Sequence, residues 1–275
     1  MQECLICKSS MAWSFAKDFF SCGLSRVDYW RCGHCGFVIS KTHADMSPAE
    51  WAAHNQICHS TYQATDFNAD DPRWLPRMQS QAHVIDDCIK IGLLSADGSL
   101  LDYACGDGKL SDLVKASGHQ LKKYDRYMQM QSADYLSDDE LPPATFDFVI
   151  TTSVFEHFTE REHFDAVDSL VSKSGVLGLH TLVCERVPED ASWFYLQPPH
   201  CAFHTNKSMS LLFEQWNYKV SVYNLEARLW LWFRDEAGVE SIVNKANARG
   251  AGHCVYHFKK GFMDYWKQLR VTRSD

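Results

Sequence analysis

The stretch Leu100-Leu-Asp-Tyr-Ala-Cys-Gly-Asp-Gly-Lys-Leu110 constrains the fold of this chain more than any other. Its apolar start reads as a buried strand, its two glycines as a tight turn, and the residues from Lys109 onward as a helix. Such a unit lets a ligand lie against bare backbone at the end of a parallel sheet. Asp102 stands inside the strand, where a carboxylate would repel a pyrophosphate and hold a cationic ligand. Asp125 closes Leu121-Lys-Lys-Tyr-Asp125, at the end of the next expected strand and at the spacing of a ribose-binding acid. Together the two acids point to a ribose-bearing ligand that phosphate does not anchor.

The alternation of strand and helix continues from there. Strands are expected over 100–104, 120–124, 146–151 and 176–182, with helices over about 109–117 and 160–172. This βαβ series implies an α/β fold with a Rossmann-like, doubly wound sheet. After a helix over 207–216, residues 218–223 and 227–233 are strand-like. They would close a seven-stranded sheet with an antiparallel last pair. Ahead of the sheet, Ser47-Pro-Ala-Glu50 resembles a helix start. A second helix is expected over 74–91, with Met78, Ala82, Ile85 and Ile89 on one face. Residues 61–72 are polar and read as a loop. The last forty residues, with Gly250-Ala-Gly252, have no assigned element.

Cys4-x2-Cys7 and Cys32-x2-Cys35 are two tight pairs. Each pair can form a knuckle whose backbone amides face the sulfurs, and Gly33 and Gly36 would ease the turn. Together they make a closed tetrahedral Cys4 site, a structural Zn2+ centre. A rubredoxin-type iron site would use the same ligands. The chain divides into a zinc ribbon (1–45), a helical linker or cap (46–98), a cofactor-binding domain (99–235) and a C-terminal extension (236–275). The odd total of eleven cysteines fits reduced thiols plus a metal better than a disulfide framework. Cys105, in the glycine turn, and the other unpaired cysteines read as small buried hydrophobes. No apolar run approaches a membrane span, and the start does not resemble a signal peptide, so a cytoplasmic location is expected. A formal charge of −8 argues against a long phosphate-binding surface, and hence against nucleic acid as a partner.

Leu101-Asp-Tyr-Ala-Cys-Gly-Asp-Gly108 resembles the first motif of class I S-adenosylmethionine-dependent methyltransferases. Phe146-Asp-Phe-Val-Ile-Thr-Thr-Ser-Val-Phe-Glu-His157 is similar to that family's fourth-strand motif. The resemblance implies S-adenosyl-L-methionine as cofactor. Asp102 would orient the ammonium, Gly106 and Gly108 would let the backbone approach, and Asp125 would accept both ribose hydroxyls. Asp134 would meet the adenine edge. Ala104 stands where the family has the first glycine of the turn.

Methyl transfer needs alignment of acceptor and methyl, and a general base where the acceptor is a hydroxyl or a carbon acid. Glu156 and His157 follow the fourth strand at the mouth of the expected site. Pro198-Pro-His200-Cys-Ala-Phe-His204 follows the fifth, behind the aromatic run Trp193, Phe194 and Tyr195. This segment resembles the histidine loop of sugar C-methyltransferases, which also carry an N-terminal zinc region, and His200 falls where their base lies. The flanking acid of that motif is Pro199 here, and its tyrosine is Gln197. Thr205 and His204 also read as a simple helix cap. The leading expectation is methylation of a small polar acceptor, a sugar or nucleotide sugar, on oxygen or carbon. Alternatives are an rRNA methyltransferase that uses its ribbon on RNA and a non-catalytic ribbon scaffold that binds a partner protein. A nicotinamide dehydrogenase ranks last because Gly106-Asp-Gly108-Lys-Leu-Ser111 lacks the third glycine of that fingerprint.

Overall fold

The computed structural model describes residues 2–59, 73–127, 134–249 and 254–265. The expected loop at 61–72 and Gly250-Ala-Gly252 lie outside the described residues. The chain begins with strands β1 (Met11–Asp18), β2 (Arg26–Cys32) and β3 (Val38–Ser40). Helices α1 (Lys41–Ala44), α2 (Pro48–His59) and α3 (Trp74–Ile91) follow. The α/β series runs β4 (Leu100–Tyr103), α4 (Lys109–Ala116), β5 (Lys122–Tyr124), β6 (Phe146–Thr152), α5 (Arg161–Leu170) and β7 (Val171–His180). Next come β8 (Val183–Cys184), β9 (Ala202–Thr205), α6 (Asn206–Gln215), β10 (Val220–Asn224), β11 (Leu229–Phe233), α7 (Val239–Arg249) and β12 (Tyr256–Lys260).

Seven strands form the main sheet in the order β12-β10-β11-β7-β6-β4-β5. Strands β5, β4, β6 and β7 are parallel neighbours, with Asp102 beside Lys123 and Ile150, and Ile150 beside Gly178. The expected hairpin forms: β10 and β11 pair antiparallel, Val222 opposite Leu231, and β11 runs antiparallel to β7. The seventh strand is β12, which joins the far side of β10 from the segment without an assigned element.

Alternation along the strands divides the core into two layers. Leu100, Phe148, Ile150, Val222 and Leu231 face a cluster with α3, α4 and α7. Leu101, Val149, Leu177, Leu179 and Trp232 face the opposite one, with Phe164 of α5 and Phe213 of α6. Both faces of the central strands are therefore covered, which is why they read as near-continuous apolar runs. Helix α3 has the expected bounds; it buries Met78, Ala82, Ile85 and Ile89, and Gly92 closes it at φ 83°. Ser47 and Glu50 cap the start of α2 reciprocally. Among the described residues no helix is long and apolar enough to cross a membrane.

A second sheet, β1-β2-β3-β9-β8, carries the cysteine-rich segment. Its strand β3 pairs antiparallel with β9, Val38 opposite Phe203. The N-terminal ribbon is thus joined edge to edge with the stretch that follows His200. Cys4, Ile6, Phe37 and Ile39 belong to the same apolar cluster as Leu177 and Trp232.

Candidate active site and cysteine centre

The chain leaves β4 for β5 on one side and then crosses back to β6 on the other. In open α/β sheets that reversal opens a crevice at the carboxyl ends of the strands. The turn after β4 lies there. Ala104, Gly106 and Gly108 all take positive φ, at 56°, 58° and 78°. Gly106 and Gly108 do so at little cost, whereas Ala104 is a side-chain-bearing residue in the left-handed region. A Cβ on Gly108 would also come within 2.8 Å of the Lys123 side chain.

Asp102 and Asp125 flank this turn. Asp102 is 1% exposed and accepts a hydrogen bond of 3.0 Å from the Ser111 hydroxyl of α4. Burial pushes its carboxyl up to about 7, against the opposing effect of the Ser111 bond. The charge of Lys123, its neighbour on β5, also opposes that rise. Asp125 follows β5 and accepts from the Gly106 amide at 2.9 Å and the Tyr127 amide at 2.8 Å. One residue thus reaches from the second strand to the glycine turn of the first, which suits both to one ribose. Asp134 is exposed and lies beside Tyr135, whose hydroxyl donates to the Gly106 carbonyl at 3.0 Å. The sequence reading missed Tyr135; its only signal was an aromatic next to the adenine candidate. Burial pushes the Cys105 thiol well up, in keeping with a packing role.

The end of β6 leads through Ser153 into a single turn at Phe155–His157. Glu156, His157 and His200 meet there, with their ligating atoms all within 4.8 Å of one another. Glu156 is fully buried and accepts from the Tyr195 hydroxyl at 2.5 Å and the Thr181 hydroxyl at 2.9 Å. The His157 and His200 rings stand edge to face with centroids 5.1 Å apart. His200 Nδ1 donates to the Tyr195 carbonyl at 2.9 Å, so in the neutral ring the lone pair is on Nε2. Burial and the Glu156 carboxylate push the Tyr195 phenol well above its ordinary value. His180, at the end of β7, lies 3.3 Å from the Ser153 hydroxyl, and burial holds it well below the ordinary imidazole value. His204 is fully buried and shifted down to about 4 by burial, and Thr205 caps α6. The simple helix-cap reading of these two agrees with the geometry. The sequence marked Tyr195 only as part of an aromatic run and did not mark Thr181, because folding alone brings their hydroxyls to Glu156.

The four ribbon cysteines also converge. Sγ atoms of Cys4 and Cys35 are 3.6 Å apart, and those of Cys7 and Cys32 are 3.4 Å apart. A tetrahedron with Zn–S bonds of about 2.3 Å has edges of about 3.8 Å, so the quartet fits such an ion. The amides of Ile6 and His34 point at Cys4 Sγ and Cys32 Sγ, both at 3.4 Å. Gly36 sits at φ 75°, and a Cβ there would meet Thr205 at 3.0 Å; Gly33 has no such constraint. The Cys4 thiol is pulled down to about 5, chiefly by its hydrogen bond with Cys35, whose own thiol is raised.

A family model described as a methyltransferase domain matches residues 77–221, more than half of the chain. No curated protein matches it. Several solved structures are similar in fold. A SAM-dependent methyltransferase from Archaeoglobus fulgidus is 17% identical, over 52% of this chain and 72% of that one, with a TM-score of 0.39. An O-methyltransferase family protein from Burkholderia thailandensis is 16% identical, over 69% and 63%, with a TM-score of 0.46. The 1,6-didemethyltoxoflavin-N1-methyltransferase of the same organism, solved with 1,6-didemethyltoxoflavin and S-adenosylhomocysteine, is 13% identical, over 72% and 93%, at 0.45. With the family match spanning the glycine turn, Asp125 and the fourth-strand motif, the chain belongs to the class I S-adenosylmethionine-dependent methyltransferases.

Proposed function

We propose that the chain methylates a small polar acceptor, a sugar or nucleotide sugar, with His200 as general base and a structural Zn2+ in the Cys4 centre. The observation that carries this reading is the convergence of Glu156, His157 and His200 after β6, the strand that neighbours β4. When bound, S-adenosylmethionine supplies a methyl group on a positively charged sulfur. Asp102 holds the ammonium end, Asp125 the ribose, and the exposed Asp134 meets the adenine edge. At the acceptor, His200 Nε2 would take the proton of a hydroxyl or acidic carbon, leaving the acceptor atom free to receive the methyl group. Glu156 then stabilises the imidazolium. A base placed this way contributes on the order of 10²–10⁴ in rate. His157 lines the same wall.

The resemblance to sugar C-methyltransferases called for an acid and a tyrosine next to the base, and Pro199 and Gln197 hold those positions instead. Glu156, from the turn after β6, brings a carboxylate within 4.8 Å of His200; the Tyr195 phenol donates to that carboxylate, while the Tyr195 backbone carbonyl accepts from His200 Nδ1. An acid thus stands beside the imidazole, which supports an acceptor that needs a base, such as a sugar hydroxyl or acidic carbon. The test offers methyl-labelled S-adenosylmethionine with a panel of nucleoside-diphosphate sugars, and separately with ribosomal RNA. The expected result is sugar-dependent release of S-adenosylhomocysteine that His200→Ala cuts at least tenfold with cofactor affinity retained. Label appearing in RNA alone, or full activity in His200→Ala, would overturn the proposal.

A further inference from the structure

The carbonyl of Pro198, two residues before His200, receives two imidazoles from the N-terminal part of the chain. His43 Nε2, in α1, lies 3.0 Å from it, and His54 Nε2, in α2, also lies 3.0 Å from it. A carbonyl oxygen has two lone pairs and is only an acceptor, so both Nε2 atoms face it as donors; His54 Nδ1 also lies 3.3 Å from the Cys22 carbonyl, so the His54 ring bridges two carbonyls. The Ser40 hydroxyl, 2.6 Å from His43 Nδ1, can then donate to that nitrogen. His43 is 1% exposed and His54 5% exposed, and both pack against Trp51. Burial holds His43 down to about 4, so it is neutral at physiological pH.

This clamp grips one end of a very short turn. Pro198 and Pro199 restrict φ, and Pro199 has no amide to donate. The His200 amide closes the turn on the Gln197 carbonyl at 3.0 Å. On the other side of His200, the Cys201 amide donates to the Glu156 carbonyl at 2.8 Å, and its carbonyl accepts from the Ser40 amide at 2.7 Å. His200 is therefore suspended between two anchors, and each of them includes a residue of the β3–α2 region. A buried carbonyl that loses both donors would move toward new partners and take the turn with it.

We infer that His43 and His54 are positioning residues for His200: by clamping the Pro198 carbonyl they hold the imidazole in the Nδ1–H form against the Tyr195 carbonyl. The inference rests on the reading of His200 as the base. Through it the ribbon and α2 become part of the acceptor site. Displacing a base by about 1 Å costs on the order of a hundredfold in rate.

The test uses the full metal-loaded chain with ¹⁵N-labelled histidine, observed by long-range ¹H–¹⁵N correlation. His200 is expected as a single Nδ1–H tautomer in the unmodified chain. In the double variant His43→Ala/His54→Ala that signature is lost to a tautomer mixture, while S-adenosylhomocysteine affinity and metal content stay unchanged. The double variant His43→Gln/His54→Gln keeps side-chain N–H donors and is expected to restore the single tautomer. A locked His200 in the alanine variant, or cofactor affinity that falls alongside it, would overturn the proposal. Should the double alanine variant not fold, His54→Ala against His54→Gln gives the same comparison with one donor removed. The base reading fails separately: full turnover in His200→Ala would refute it even with the clamp confirmed.

Discussion

Asp102 makes the sharpest expectation, because its burial couples cofactor binding to protons. With its carboxyl raised from 3.8 to about 7, half of the ligand-free chains carry a protonated Asp102 near neutrality. The protonated form is the one favoured by folding. This group's contribution to stability is fully present near and below the ordinary carboxylate range and is lost as pH rises toward 7. The whole span is worth roughly 4 kcal/mol. Binding works in the opposite sense, since a ligand ammonium favours the carboxylate. Below about pH 7 that ammonium stays charged, so the pH dependence reports on the protein. If only chains with ionised Asp102 bind, the apparent Kd for S-adenosylhomocysteine rises about sixteenfold from pH 7 to pH 5.5. About half a proton is released per ligand at pH 7. Calorimetry in buffers of different ionisation enthalpy measures both. Asp102→Asn should bind more weakly at pH 7 and flatten the profile. An affinity independent of pH over that range, with no proton released, would refute the pairing of Asp102 with the ammonium.

Asp125→Ala removes two charge-assisted acceptors and should weaken S-adenosylhomocysteine binding by about 10- to 100-fold in titration calorimetry; unchanged affinity would remove Asp125 from the ribose site. Ala104→Gly relieves a positive φ at some cost in chain entropy, for a net gain of about 0.5–1 kcal/mol, or roughly 2 °C in Tm by scanning calorimetry; a lower Tm would contradict the strain. Stripping the Cys4 centre with a chelator should raise hydrogen exchange in the ribbon and also across 195–205, because β3 pairs with β9. Exchange confined to the first forty residues would show that the ribbon and the 195–205 segment are independent.

The parts of the fold legible in the sequence were the local ones. The strand–turn–helix around Asp102, the fourth-strand motif and each Cys-x2-Cys pair sit within a dozen or so consecutive residues, and the periodicity of α3 declared its bounds. What escaped was set by contacts distant in sequence. β3 and β9 have three and four residues, all buried, so neither shows the alternation that marks a strand with one wet face. Their pairing joins residues more than a hundred and fifty positions apart. Tyr195 and Thr181 acquire a role through Glu156, and His43 and His54 through a carbonyl, which no side-chain pattern encodes. One miss was avoidable. Val239, Ile242, Val243 and Ala246 follow helical spacing after Gly238, and they form the inner face of α7.

The most direct measurement is a crystal structure of the chain with S-adenosylhomocysteine. The ribose should lie on Asp125, the amino group on Asp102, and the sulfur should face the His157–His200 pair across a gap sized for an acceptor. A ligand bound elsewhere, or a sulfur turned away from His200, would contradict the assignment of this crevice as the site of methyl transfer.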